Sequence, residues 1–213
     1  MNQYLSDEAA LCSEERLMSD LATKVNKCAR CDLGCEKLVD GHDPHVMGYG
    51  NPRAEIMFIA EAPGLQECIY KRPLTPPGTS GKIYEKILKD LDLTREDVWT
   101  TNTVLCRPPK NRNPEPWEVH KCKTYLKQQL DIVEPKIVIT FGRFAAQILI
   151  GSFKITKEHG QLRRSESFGV NVFPVYHPAY VARGYGNTSE EFKKDIKKLK
   201  RILSTLNNGE EDA

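Results

Sequence analysis

The stretch Glu55-Ile56-Met57-Phe58-Ile59-Ala60-Glu61-Ala62-Pro63-Gly64 decides the fold class. Its first part, Glu55 to Ala60, is a short apolar run, and its second part is a turn sequence that carries a carboxylate. A strand with one wet face alternates apolar and polar residues, whereas a nearly continuous apolar run is covered on both faces. Three comparable runs follow, at Val98 to Val104, Lys136 to Phe141 and Asn171 to Tyr176. Helical periodicity surrounds them. Met18, Leu21, Ala22 and Val25 share a face near the N-terminus, with Cys28 at that helix's end. Ile83, Ile87, Leu88 and Leu91 define a second helix, for which Ser80 is the expected cap. Val119, Cys122, Leu126, Leu130 and Val133 define a third, with Asn113 expected at the N-cap and Pro114 at the first turn. Gly142 turns into a short helix carrying Phe144, Ala145, Ile148 and Leu149, and Phe192, Ile196, Leu199 and Leu203 give the last one. Leu65 to Gly81 reads as a long proline-rich connection, of the kind that is functional or mobile.

Buried strands alternating with helices imply a parallel sheet covered on both faces. Ligands of such sheets bind beyond the carboxyl ends of the strands. Those ends carry Glu61, Asn102 and His177, and three polar residues at three strand ends are the strongest pointer to a site. Each alone is ordinary turn chemistry. One further motif is dismissed. Gly78-Thr79-Ser80-Gly81-Lys82 is superficially like a phosphate-binding loop, but Pro76 stands where its first glycine belongs and Ile83 where it needs Ser or Thr.

The chain has 213 residues, enough for one core, and a single domain over 1–206 with a frayed acidic tail at 207–213 is expected. Hydrophobic residues make up 39% and charged residues 28%, the balance of a soluble globular protein. No apolar run approaches the roughly 18 residues of a membrane helix. Met1 to Ala10 carries two acids and no base, unlike a secretory signal, so an intracellular location is expected. The net charge of +2 neither demands nor excludes nucleic acid. Its distribution is more informative: Arg107, Lys110 and Arg112 cluster in one loop, Arg163 and Arg164 in another and Arg183 in a third, where phosphates would be attracted. The bases from Lys193 to Arg201 read as the solvated face of a helix.

Seven cysteines occur: Cys12, Cys28, Cys31, Cys35, Cys68, Cys106 and Cys122. An odd count in a reducing compartment argues against a disulfide framework. Cys28 and Cys31 form C-x-x-C, and with Cys106 and Cys122 they make two pairs that together supply four thiolates. Such a set suits zinc or an iron–sulfur cluster, and spacing does not choose between them. Cys35 is a competing ligand, and Cys122 on its apolar helix face also reads as a small buried hydrophobe.

These residues together resemble the family-4, iron–sulfur branch of the uracil-DNA glycosylase superfamily. The marks are Cys28-x-x-Cys31, Glu61-Ala62-Pro63-Gly64, Asn102 through Cys106-Arg107-Pro108-Pro109, Asn111-Arg112, Cys122 and Tyr176-His177-Pro178-Ala179, over roughly Cys28 to Leu203. The resemblance implies a three-layer α/β/α sandwich around a four-stranded parallel sheet, with a 4Fe–4S cluster on Cys28, Cys31, Cys106 and Cys122 stapling the N-terminal segment. It implies excision of uracil from single- or double-stranded DNA by a monomer. In that scheme Glu61 activates water, His177 binds the uracil carbonyl and its loop enters the minor groove. Ala62, Pro63, Gly64 and Asn102 contact the base, Asn102 at its amide edge. Arg107, Lys110, Arg112 and Arg183 are the expected DNA contacts. Two positions depart from the pattern: Ala60 replaces an opening glycine, and Leu74 follows Arg72-Pro73 where an aromatic usually stacks on the flipped base.

The chemistry fits these residues independently. An extrahelical base needs an acceptor pocket, a departing base anion needs a hydrogen-bond donor, and a cation-like sugar needs a carboxylate. With no lysine identified as a Schiff-base nucleophile, an enzyme that leaves an abasic site without strand cleavage is expected. The alternatives are a relative excising hypoxanthine or a modified pyrimidine, a non-enzymatic iron–sulfur protein that binds nucleic acid, and a zinc-stapled binding module.

Overall fold

The computed structural model describes residues 13–35 and 41–208, the side chains of residues 35, 207 and 208 excepted. Cys12, the side chain of Cys35 and the tail beyond Asn208 lie outside the described residues. In chain order the elements are α1 (Ser13–Asn26), α2 (Asp32–Cys35), β1 (Tyr49–Gly50), β2 (Ile56–Ala60), α3 (Leu65–Tyr70), α4 (Thr79–Asp90), β3 (Val98–Asn102), α5 (Pro116–Val133), β4 (Ile137–Phe141), α6 (Gly142–Ile150), α7 (Ile155–Glu158), β5 (Arg163–Ser165), β6 (Val170–Val175), α8 (Pro178–Ala182) and α9 (Thr188–Asn208).

The sheet has six strands in the order β1-β3-β2-β4-β6-β5. The central run β3-β2-β4-β6 is parallel, as the buried apolar runs require. The expected four-stranded parallel sheet is nevertheless corrected to a mixed one, because β1 and β5 add antiparallel edges. These edges are two and three residues long, too short to show a period-2 pattern in sequence.

Alternate side chains of a strand point to opposite faces. Phe58 of β2 therefore packs under α4 and α9, with Tyr84, Ile87, Leu88, Phe192, Ile196 and Leu199. Its neighbours Met57 and Ile59 pack on the other face with α1, α5 and α6, through Leu21, Leu126, Leu130, Ala145 and Leu149. The result is helix layers on both sides of the sheet.

Three helix starts differ from expectation. Leu65–Tyr70 is helical inside the predicted loop. The next helix begins at Thr79 with Gly78 at its N-cap, so Ser80 lies inside it. α5 begins at Pro116 with Glu115 as N-cap rather than Asn113, because the buried Glu118 carboxylate accepts the Glu115 N–H at 2.7 Å. Arg112 closes that turn with two hydrogen bonds to Glu118, of 2.8 and 2.6 Å.

The expected cluster staple is also corrected. Cys28, Cys31, Cys106 and Cys122 border one recess, but its volume is only about 10 Å³. That is room for about one water. Among the described residues, no group of three or more His, Cys, Asp or Glu side chains is arranged to hold a metal ion, so neither the iron–sulfur cofactor nor metal binding stands. Burial pushes the Cys122 thiol up to about 12 and also raises those of Cys31 and Cys106. The N-terminal segment is held by packing instead. Met18, Leu21 and Val25 of α1 bury against Tyr125, Leu126 and Leu130 of α5. Arg30 adds a 2.5 Å hydrogen bond to Thr124 and lies over the Tyr125 ring at 5.3 Å. The His45 ring nitrogen sits 3.0 Å from the Cys28 carbonyl.

Candidate active site

The carboxyl ends of the parallel strands open into a cavity of about 550 Å³. Of the residues singled out in the sequence, Glu61, Ala62, Pro63, Gly64, Leu74, Arg112, His177 and Arg183 line it. Asn102 does not line it; it lies at the end of β3, paired in register with Ala60, the residue before Glu61. Its amide is fully buried, and neither the nitrogen nor the oxygen has a hydrogen-bond partner among the described residues. A buried unpaired amide costs roughly 1–3 kcal/mol, a cost that a ligand offering a donor and an acceptor would relieve.

Glu61 directly follows the last residue of β2. Burial in the cavity wall pushes its carboxyl up to about 7, against the opposing pull of the Arg143 guanidinium. His177 directly precedes α8 and caps it: its Nδ1 accepts the Ala179 N–H at 3.2 Å. Burial, with help from the Arg183 charge, holds its imidazole down at about 4. The ring is therefore neutral near pH 7. With Nδ1 occupied as an acceptor, its proton sits on Nε2 as a donor.

The turn after Glu61 is fixed by a residue that sequence reasoning passed over. Glu67 of α3 accepts the Gly64 N–H at 2.5 Å on one carboxylate oxygen and the Leu74 N–H at 2.6 Å on the other. Arg95 donates to the carbonyls of Pro73 and Leu74. Leu74 is thus clamped, almost fully buried and at φ +49°, and it serves both as cavity wall and as core. Gly64 N–H is engaged with Glu67 and is not an open donor to a ligand. Tyr70, the last residue of α3, is exposed and lies outside the cavity lining.

The expected DNA contacts divide. Arg183 is exposed at the cavity rim and Lys110 is exposed beyond it. Arg112 reaches the cavity but is tied to Glu118. Arg107 is buried, its Nε donating to Asn111 at 2.9 Å.

Arg143 and Tyr180 line the cavity and were not singled out; Phe144 and Tyr176 line it too, though the sequence placed one only on a helix face and the other only in a motif. Arg143 follows Gly142 at the end of β4, a fourth strand end, so the rule that found Glu61, Asn102 and His177 also reaches it. Gly142 sits at φ +85°, and a Cβ there would meet His177 Cβ at 3.1 Å. The ends of β4 and β6 are thereby brought into close approach.

A doubly covered α/β sheet with an acid, a neutral imidazole and an unpaired amide gathered at its carboxyl edge defines a hydrolase-type cleft. Residues 47–200 match the family model described as the uracil DNA glycosylase superfamily, and the chain belongs to that superfamily. It is 38% identical over 189 residues to a type-4 uracil-DNA glycosylase of Archaeoglobus fulgidus, covering 85% of this chain and 91% of the relative. A type-4 enzyme of Saccharolobus solfataricus is 38% identical, over 87% and 86% of the two chains. One of Thermotoga maritima is 32% identical, over 90% and 97%.

Proposed function

We propose that this protein hydrolyses the N-glycosidic bond of uracil in DNA and leaves an abasic site. The observation that carries this reading is the convergence of Glu61 and His177 from two strand ends on one cavity, with the unpaired Asn102 amide buried at the end of the neighbouring strand β3, in a chain similar over most of its length to type-4 uracil-DNA glycosylases. An extruded uracil placed over β3 presents an imide edge to Asn102, satisfying the amide that is otherwise unpaired. As the bond breaks, negative charge grows on the base. His177 Nε2–H is the preorganised donor for it, and a neutral imidazole donates without adding a buried cation. Glu61, when ionised, faces the sugar, steadies its positive charge and orients the attacking water. Among the described residues no lysine lines the cavity, which supports hydrolysis without a Schiff base. Arg183 and Lys110 are the candidate phosphate contacts, and the reaction belongs inside the cell, with DNA.

Single-turnover release of free uracil from a uracil-containing oligonucleotide tests the proposal. Release that falls about 10²–10³-fold in His177→Ala, with binding to an abasic-site duplex retained, is the expected result. No release by wild-type protein overturns it. A second reading, excision of a bulkier base, is favoured by one feature: the wall where the family stacks an aromatic is Leu74. Release of hypoxanthine in preference to uracil from a base panel would favour that reading.

A further inference from the structure

Three tyrosines form a continuous ladder from the cavity to solvent. Tyr176 is buried at the inner end and packs against the His159 ring at 4.5 Å between centroids. Tyr180 stacks on Tyr176 at 5.7 Å, with planes 23° apart. Tyr185 continues the run at 5.1 Å from Tyr180. Exposure rises outward, from 4% at Tyr176 to 38% at Tyr180 and 52% at Tyr185.

The inner end is rigidly held. His159 Nδ1 pairs with Asp195 at 2.6 Å, and the Tyr176 hydroxyl donates to Glu191 at 3.1 Å, both carboxylates belonging to α9. The outer end is not an ordinary surface tyrosine, because it extends a stack that begins inside the cavity. Arg183 lines the same cavity as Tyr176 and Tyr180, where it can meet a phosphate. Aromatic faces next to a cation are the equipment with which proteins hold unpaired nucleotides without reading sequence.

We propose that Tyr180 and Tyr185 form a stacking shelf for the nucleotide adjacent to the excised one, and that the shelf favours single-stranded or locally unpaired DNA. The proposal rests on the glycosylase reading and adds strand context to it. In a duplex the neighbouring base is already stacked on its own strand and gains little from Tyr185. In a single strand that base is free to lie on the exposed ring.

The test uses Tyr185→Ala and Tyr185→Phe in the full chain. Uracil release is measured on a single strand and on a duplex of the same sequence. Binding is measured on a single strand with an uncleavable 2′-fluoro uridine analogue and 2-aminopurine on either side of it. Stacking of this kind predicts that Tyr185→Ala raises KM or Kd for the single strand about 5- to 150-fold and changes the duplex values much less. Tyr185→Phe keeps the ring and retains wild-type values. The 2-aminopurine fluorescence is quenched on binding to wild type and to Tyr185→Phe, and not to Tyr185→Ala. Unchanged single-strand binding and quenching in Tyr185→Ala overturns the shelf, and so does an equal loss on both strand forms. Absence of uracil release by wild type would sink the glycosylase reading instead, while the binding and quenching arm still reads the shelf.

Discussion

Glu61→Gln is expected to make the protein more stable and inactive, and the stability gain depends on pH. The folded state binds the Glu61 proton more tightly than the unfolded chain does, because burial lifts the carboxyl from its ordinary 4.5 to about 7. The folded protein is therefore favoured at low pH. It loses stability as pH rises from about 4.5 to about 7 and levels off above that. At 1.36 kcal/mol per pKa unit the full effect would be roughly 3 kcal/mol. The carboxyl faces an open cavity, so solvent screening reduces this to about 1–2 kcal/mol. Glutamine has the same shape and no charge, so the variant recovers that amount at pH 8 and clearly less at pH 5, where the folded carboxyl is still protonated. For a domain of this size, about 1–2 kcal/mol corresponds to a Tm gain of roughly 2–8 °C. Thermal unfolding of wild type and Glu61→Gln at both pH values reads it, alongside single-turnover uracil release. A Tm difference that is the same at pH 5 and pH 8, or a variant that releases uracil at the wild-type rate, would refute the reasoning.

The same carboxyl sets the pH profile of the reaction. Uracil release rises with pH up to about 7 and then levels off, since Glu61 must be ionised while His177, held near 4, is neutral throughout. Arg143→Gln removes the cation that favours the Glu61 carboxylate, so the profile's midpoint moves to higher pH, measurable as single-turnover rate against pH. Gly142→Ala forces a side chain into left-handed backbone and against His177, costing about 1–2 kcal/mol in urea unfolding. The accompanying displacement of the imidazole should cost about tenfold or more in release. Asn102→Leu removes a buried unpaired amide, so the protein unfolds at an equal or higher denaturant concentration while uracil release falls by about 10²-fold or more.

The central strands and the functional edge were legible in the sequence. A strand buried on both faces must be apolar nearly throughout, so Ile56–Ala60, Val98–Asn102 and Ile137–Phe141 announce themselves. A parallel sheet places its binding residues at one edge, so Glu61 and His177 could be assigned to one site before either was located. The motif order carried the family. Tertiary structure decided the rest, because it depended on contacts between residues distant in the chain. β1 and β5 exist only because β3 and β6 offer them an edge. The start of α5 is set by Arg112 and Glu118 rather than by the Asn113-Pro114 signal. The four cysteines have the spacing of a ligand set, yet spacing does not orient side chains, and among the described residues no group of three or more is arranged to hold a metal ion. Leu74 looked like a missing aromatic, and only the hydrogen bonds of Glu67 to its N–H and of Arg95 to its carbonyl make it a fixed wall. Local sequence determines which segments are strands and helices, because periodicity is a property of neighbours. Cavity shape, carboxyl ionisation and the outward run of tyrosines are sums over many approaching segments, which only the folded chain brings together.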